Sequence, residues 1–431
     1  MAQHRELPIV GFTQIAQAFG GRVEAHAAIG SGPLPEITEC GTADERARFR
    51  AVIGRAFIAM QDAETSGEVL SSPDDQAGAL LQAFLAETAT DEKRTTPGRI
   101  GVEAKFDEHD WWGWIRHAGW PYLKSKLGIA NRHPRLPWPS DSTRLPNHAR
   151  LAILGDWGSG AYGAPECSAH IATDPRGFDA VVHLGDVYYA GTQREVDEQF
   201  IAQWPWIDGV VNRACNSNHE MYSAGKPYFD TTLRYFGQSS SAFVLETDHW
   251  LLVGLDTAYD DFDLAEDQVT WLEALVGRME DRRLVLFSHH QLYSHFGRQG
   301  VKLQEKLRSL LEARRVAAWY WGHEHLLALY DPHPAWGLHG RCIGHGGFPY
   351  SRPRLDDTPH TPLPARQTWC HHQGGGATPP ARILDGPNPY LGSRADEYGP
   401  HGYLVIELLD DHLLESFYCA DGTKLDEHQL L

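Results

Sequence analysis

ARLAILGDWG at residues 149–158 and FDAVVHLGDVYYAG at 178–191 are the stretches that decide the fold class. Each is a short, nearly continuous apolar run that closes on Gly-Asp, and a short helical stretch lies between them. Apolar strands alternating with helices are what a sheet covered on both faces requires. The same kind of ending recurs down the chain: Asn218 and His219 follow VVNRACNS, His289 and His290 follow LVLFS, and His323 and His325 follow AAWYWG. In open α/β sheets the carboxyl ends of the strands share one edge, where ligands bind. These endings predict one cleft lined by Asp156, Asp186, Asn218, His289 and His323.

Working outward, SAFVLET (241–247) and HWLLVGLDT (249–257) predict a hairpin, as do GYLVIELL (402–409) and HLLESFYC (412–419). Helices are expected from Glu266 to Glu280 and from Lys302 to Arg314. Residues 351–400, rich in Pro, Gly and His and without periodicity, read as one long loop. Upstream, HPRLPWPSDSTRLPNH (133–148) reads as an extended linker, which sets a boundary near residue 146. Residues 1–145 then form a mainly helical region ahead of a main domain at 146–431. In that region Phe49, Val52, Ile53, Ala56, Phe57 and Met60 step by three and four, as one helix face does. A second helix is expected from Asp74 to Glu87, opened by Ser72 and Pro73. Trp111, Trp112, Trp114 and Trp120 gather aromatics that would clamp the region onto the main domain or form a wall of the cleft.

The composition excludes some functions. With 57 acidic against 38 basic residues the formal charge is -19, which repels extended nucleic acid. A small phosphate ester is still admissible, because bound cations reverse the local field in a cleft. No apolar run of 18 residues spans a membrane, and the first 21 residues lack the apolar core of a secretory signal, so a cytoplasmic address is expected. The six cysteines lie far apart with no C-x-x-C and are expected as buried thiols. The sequence does not fix an oligomeric state.

Two carboxylates, an amide oxygen and several imidazoles form a mixed oxygen and nitrogen set suited to Zn, Fe, Mn or Co rather than Ca or Mg. Two such ions about 4 Å apart can bind phosphoryl oxygens and bring the pKa of a bridging water to about 7. Asp186, in the second strand ending, is the natural bridge.

At this point the sequence resembles the calcineurin-like metallophosphoesterases, and within them the purple acid phosphatase branch. The motifs that carry the resemblance are Gly155-Asp156-Trp157-Gly158, Gly185-Asp186-Val187-Tyr188-Tyr189, Asn218-His219-Glu220, the strand ending in His289, and Gly322-His323-Glu324-His325. The resemblance implies a four-layer α/β/β/α sandwich that hydrolyses small phosphate esters by attack of a metal-bound hydroxide on phosphorus. It implies one ion on Asp156, Asp186, Tyr189 and His325, and another on Asp186, Asn218, His289 and His323. A tyrosinate ligand implies Fe(III), paired with Fe(II), Zn or Mn. By the same resemblance His219 contacts the phosphate and protonates the leaving group, with His295 as a second catalytic histidine. His290 is the alternative to His289 as ligand and otherwise a substrate contact, and His345, in the glycine loop Gly344–Gly347, is a further substrate contact. Ser217 stands where the family has glycine, which would strain the turn if φ must be positive.

Rival readings remain at this level. A phosphodiesterase acting on cyclic nucleotides or lipid head groups would use the same site, and a non-catalytic metal-binding or scaffold protein would keep the fold without turnover. Gly158, Gly160 and Gly163 match G-x-G-x-x-G, but the following stretch is too short and proline-bearing for a dinucleotide fold. They are expected to let the backbone pass close to the metals. Cys370, His371 and His372 read as a solvated loop.

Overall fold

The computed structural model describes residues 132–431 apart from 353, 354, 356 and 357, together with Gln76, Ala79, Leu80 and Ala83. The chain divides into two compact units, Met1–Asn131 and Arg132–Leu431. In the first, the four described residues are helical and Ala79, Leu80 and Ala83 are buried. The expected helix around Val52 and the tryptophan cluster lie outside the described residues.

The second unit is a sandwich of two sheets. The smaller runs β16 (Lys424–Gln429), β15 (His412–Cys419), β14 (Gly402–Leu409), β2 (His148–Leu154), β3 (Ala180–His183), β4 (Val211–Ala214). Its β2, β3 and β4 are mutually parallel. The larger runs β1 (Thr143–Arg144), β5 (Phe243–Glu246), β6 (Trp250–Gly254), β7 (Arg283–Ser288), β8 (Val316–Trp321), β10 (His339–Ile343), β9 (Leu327–Tyr330), β13 (Ala381–Asp385), β12 (Thr368–His372), β11 (His360–Pro362). Here β6, β7, β8 and β10 are parallel.

Alternation along each strand assigns the layers. From β2 and β3, Leu151, Ile153 and Val182 face Leu252, Phe287 and Tyr320 of the larger sheet in the central core. Ala152, Leu154 and Val181 turn outward against Cys167 and Ile171 of α1 (Ala164–Thr173). On the far side Val253, Leu286 and Trp319 meet Leu272 of α3 (Glu266–Val276), Leu303 of α4 (Val301–Lys306) and Leu311 of α5 (Arg308–Glu312). Full burial of each Leu, Ile, Val or Phe among these contributes about 1.5–3 kcal/mol. The result is the four-layer α/β/β/α arrangement, and among the described residues no helix is long and apolar enough to cross a membrane.

Both expected hairpins form, as β5–β6 and β14–β15. The expected 302–314 helix breaks at Leu307, where φ is -101° and ψ 13°. Residues 351–400 are not one loop: β11, β12 and β13 extend the larger sheet antiparallel to one another. Pro362 ends β11 at the sheet edge, where its missing N–H costs no ladder bond. The proline-rich passage is extended but packed: Arg132 donates to the Tyr259 carbonyl, Arg135 to Asp260, and the Trp271 indole to the Pro139 carbonyl. The five described cysteines are buried and form no disulfide among the described residues, and Cys40 lies outside the described residues.

One ion pair is sealed between the sheets. Arg341 on β10 donates to both Glu415 oxygens on β15 at 3.1 and 3.0 Å, with the Tyr320 hydroxyl and His428 Nε2 each at 2.8 Å. Burial opposes the Glu415 charge, but Arg341, His428 and Tyr320 outweigh it and bring the pKa down to about 2. A carboxyl lowered by folding stabilises above its unfolded pKa and loses that contribution as pH falls towards the folded value. Glu415→Gln should therefore lower the unfolding free energy in urea at pH 7 by about 3–5 kcal/mol, since it strands a buried guanidinium. The deficit should shrink as pH falls from the ordinary glutamate range towards 2; a deficit independent of pH would contradict the assignment.

Candidate metal centre

The register of the parallel strands sets the donors side by side. Leu154 pairs with His183, and Ser288 with Trp321, so Asp156 and Asp186 leave one sheet where His289 and His323 leave the other. Backbone bonds tie the endings together: Asp156 N–H to Gly185 O at 3.0 Å, Gly158 N–H to Asp186 O at 3.1 Å, and Gly322 N–H to His289 O at 3.0 Å. Three donors sit in the left-handed region, Asp156 at φ 55°, Asp186 at 78° and His323 at 68°. Non-glycine residues held there cost on the order of 1–3 kcal/mol each and gather at functional sites. Gly322 permits the approach, since a Cβ there would overlap Asp156 Oδ2.

Ser217 does not strain its turn. Its φ is -135°, ordinary extended backbone, and its hydroxyl caps α2 (Asn218–Tyr222) by accepting from Glu220 N–H. Asn218 thus enters the site as the first residue of a capped helix.

The side chains converge. Donor atoms of Asp156, Asp186 and His289 lie within 4.8 Å of one another, and so do those of His289, His290 and His323. His289 Nδ1 is 3.0 Å from the Leu184 carbonyl, which can only accept, so Nδ1 carries the proton. Burial, with His323 and His219 nearby, depresses the His289 pKa to about 3, so the ring is neutral and Nε2 bears a lone pair. That lone pair faces Asn218 Oδ1 at 2.9 Å, Asp186 Oδ1 at 3.2 Å and His323 Nδ1 at 3.2 Å. The Asn218 and Asp186 oxygens are acceptors facing that lone pair in a buried site, an arrangement a cation satisfies, and a carbonyl that fixes the tautomer behind a ligand is the usual support. Burial and the neighbouring Asp186 raise the Asp156 pKa well above the carboxylate range. Asp186 is held well below it, because the His219 and His289 imidazoles outweigh its own burial.

His325 Nε2 is 3.5 Å from Asp156 Oδ1, and His219 Nε2 is 3.8 Å from Asp186 Oδ2. His219 Nδ1 lies 2.5 Å from the Tyr189 carbonyl, which fixes that ring as well. The phenol brought to the cluster is Tyr188, not Tyr189. Its hydroxyl is 2.7 Å from Asp186 Oδ2, 3.1 Å from Asp156 Oδ1 and 2.9 Å from His325 Nε2. Tyr189 packs its ring edge-on to Phe348, and burial together with the Glu195 charge pushes its pKa up to about 12. Sequence reasoning missed Tyr188 because adjacent tyrosines leave the choice to the local backbone. The loop is fixed by the capping box of Thr192 and Glu195, whose carboxylate also receives Tyr189 and Ala190 N–H groups.

Two other expected residues lie elsewhere. His295 Nε2 is 2.8 Å from the Pro379 carbonyl and its ring lies against His372 at 4.1 Å. His345 is fully buried beside Gly402 and His401, with its carbonyl receiving Gly402 N–H. The glycine loop carrying it does reach the cleft, but the side chain it presents is Phe348, 4.1 Å from the Tyr188 ring and 4.9 Å from that of His325. His290 stays in the cluster, its Nδ1 3.0 Å from Thr257 Oγ1 and its Nε2 without a hydrogen-bond partner. Gly158 does let the backbone pass close by, bridging to Val187 beside Asp186.

The family model for calcineurin-like phosphoesterases matches residues 149–327, the span that holds every donor of this cluster. Residues 149–327 are a calcineurin-like phosphoesterase domain. Over 202 residues, 41% of the chain, it is 26% identical to purple acid phosphatase 22 of Arabidopsis thaliana, and the match covers 44% of that relative. Among solved structures, the purple acid phosphatase PPD1 of yellow lupin (Lupinus luteus) aligns with a TM-score of 0.48 at 18% identity, over 68% of this chain and 55% of that one. GAP50 of Plasmodium aligns with a TM-score of 0.43 at 13% identity, over 65% and 88%. The chain thus spans about half the length of the purple acid phosphatases it matches.

A cation shared by the phosphoesterase domain's buried carboxylates should stabilise it by mass action. Adding Zn or Mn to chelator-treated protein at a hundredfold excess over Kd should raise Tm by about 5 °C. In Gly322→Ala, where Asp156 must move, the shift should mostly vanish; equal shifts in both proteins would remove Asp156 from the cation site.

Proposed function

We propose that the protein hydrolyses small phosphate esters at a dinuclear metal centre. The observation that carries this reading is the convergence of Asp156 and Asp186 from one sheet with His289 and His323 from the other, in two adjoining groups of possible metal donors that share His289. In this reading Asp186 is the bridge between an ion on Asp156, Tyr188 and His325 and an ion on Asn218, His289 and His323. Bound cations would supply Lewis-acid charge against the phosphoryl oxygens and acidify a water. The chain's own groups do the rest. Asn218 and His289 are aimed by the α2 cap and the Leu184 carbonyl. His219, its Nδ1 held on the Tyr189 carbonyl, turns Nε2 towards the cleft, where it protonates the departing alcohol.

General acid help matters most when the leaving group is basic. His219→Ala should reduce kcat/KM about a hundredfold or more on an alkyl phosphate, and much less on p-nitrophenyl phosphate, whose leaving group departs as a stable anion. Equal losses on both substrates in steady-state assays would deny His219 that role. Activity compared on p-nitrophenyl phosphate and bis(p-nitrophenyl) phosphate distinguishes monoester from diester preference.

A phenol buried against two carboxylates favours a strongly charged ion, which supports Fe(III) beside Fe(II), Zn or Mn. The purified protein should then contain iron and absorb in the visible through tyrosinate charge transfer. Tyr188→Phe should bleach that band and Tyr189→Phe should retain it; the reverse pattern would return the ligand role to Tyr189.

A further inference from the structure

The loop after the His289 strand is built as a rigid shelf. Ser294 Oγ donates to the Glu324 carboxylate, between the candidate ligands His323 and His325, and accepts from Gly297 N–H at 2.7 Å. Gln291 Nε2, on buried Gln291, holds the Arg298 carbonyl at 2.9 Å. On this shelf the Arg298 guanidinium lies over the Phe262 ring, 4.9 Å from its centroid. Phe262 in turn meets the His290 ring at 4.2 Å and the His323 ring at 5.4 Å, and it is buried with φ at 60°, a conformation a bulky side chain rarely holds. One aromatic ring therefore separates Arg298 from the candidate metal ligands.

The charges around it are already engaged. Lys302 and Lys306 both pair with Asp263, and Arg135 pairs with Asp260. Among the described residues Arg298 has no ion-pair partner, although acidic residues outnumber basic by 57 to 38 in the chain. Stacking uses the flat face of a guanidinium and leaves its N–H edges outward, in the geometry that grips a phosphate through two oxygens.

From this placement we infer that Arg298 is a specificity-determining residue that binds a second phosphate of the substrate, selecting phosphate compounds with two linked phosphates, such as nucleoside diphosphates, over simple monoesters. The inference rests on the phosphoesterase reading above. In the reaction a water oxygen bonds to the terminal phosphorus and the bond from that phosphorus to the bridging oxygen breaks. The electron pair stays on the inner phosphate held by Arg298, and the products are a nucleoside monophosphate, inorganic phosphate and one released proton.

The test compares kcat/KM for ADP and AMP in the full-length, metal-loaded protein, with p-nitrophenyl phosphate as reference. Arg298→Ala should lower the ratio of ADP to AMP about tenfold, and Arg298→Lys should restore part of it. An unchanged ratio overturns the inference, whether both activities persist or fall together, and so does a wild-type protein that cleaves AMP but not ADP. A wild-type protein inactive on all three substrates would instead remove the phosphoesterase reading. Because Arg298 is exposed, circular dichroism of the variants should match wild type.

Discussion

Two carboxylates buried side by side are the constraint around which the second unit is arranged. Asp156 and Asp186 leave adjacent parallel strands and are almost fully withdrawn from water. Like charges so placed cannot both ionise without compensation. Part of the compensation comes from the His323 backbone N–H and from a phenol that reaches both carboxylates, while the neutral His289 ring from the opposite sheet completes a set of acceptors suited to a cation. Neither sheet could supply the set alone, so the sandwich itself is part of the site.

The surrounding structure aims these groups. Strand register brings the endings level, and left-handed backbone at three of them turns the side chains inward. The strain is tolerable because the loops are stitched to each other and sit on three layers of buried apolar side chains. Carbonyls behind His289 and His219 choose which nitrogen of each ring is protonated. Around the mouth, Phe348 and Phe262 supply aromatic walls on either side of the donors.

Much of this was legible in the sequence, and the limits have physical causes. Apolar strands closing on Asp156, Asp186, Asn218, His289 and His323 identify the sheet edge, because strand ends and ligand types coincide there. The choice between Tyr188 and Tyr189 was not legible, since it turns on the backbone of a loop whose conformation is set by Glu195 from outside the motif. His345 read as a cleft residue because its glycine loop does border the cleft, yet the loop turns Phe348 towards Tyr188 and His345 towards Gly402. The strands within 351–400 escaped because edge strands need only brief alternation, and Pro, Gly and His concealed it. Ser217 read as a strained substitute for glycine, whereas its hydroxyl makes it a helix cap.

The left-handed backbone at Asp156 and Asp186 has a bearing on how the molecule can be silenced. Asparagine is close in shape to aspartate and is one of the few side chains at ease in that conformation. Exchange at either position removes a carboxyl ligand while asking nothing new of the main chain. If the proposed hydrolysis holds, the architecture thus offers its own inert double: a folded chain with the cleft intact and the electrostatics broken, suited to trapping an uncleaved ligand for crystallography.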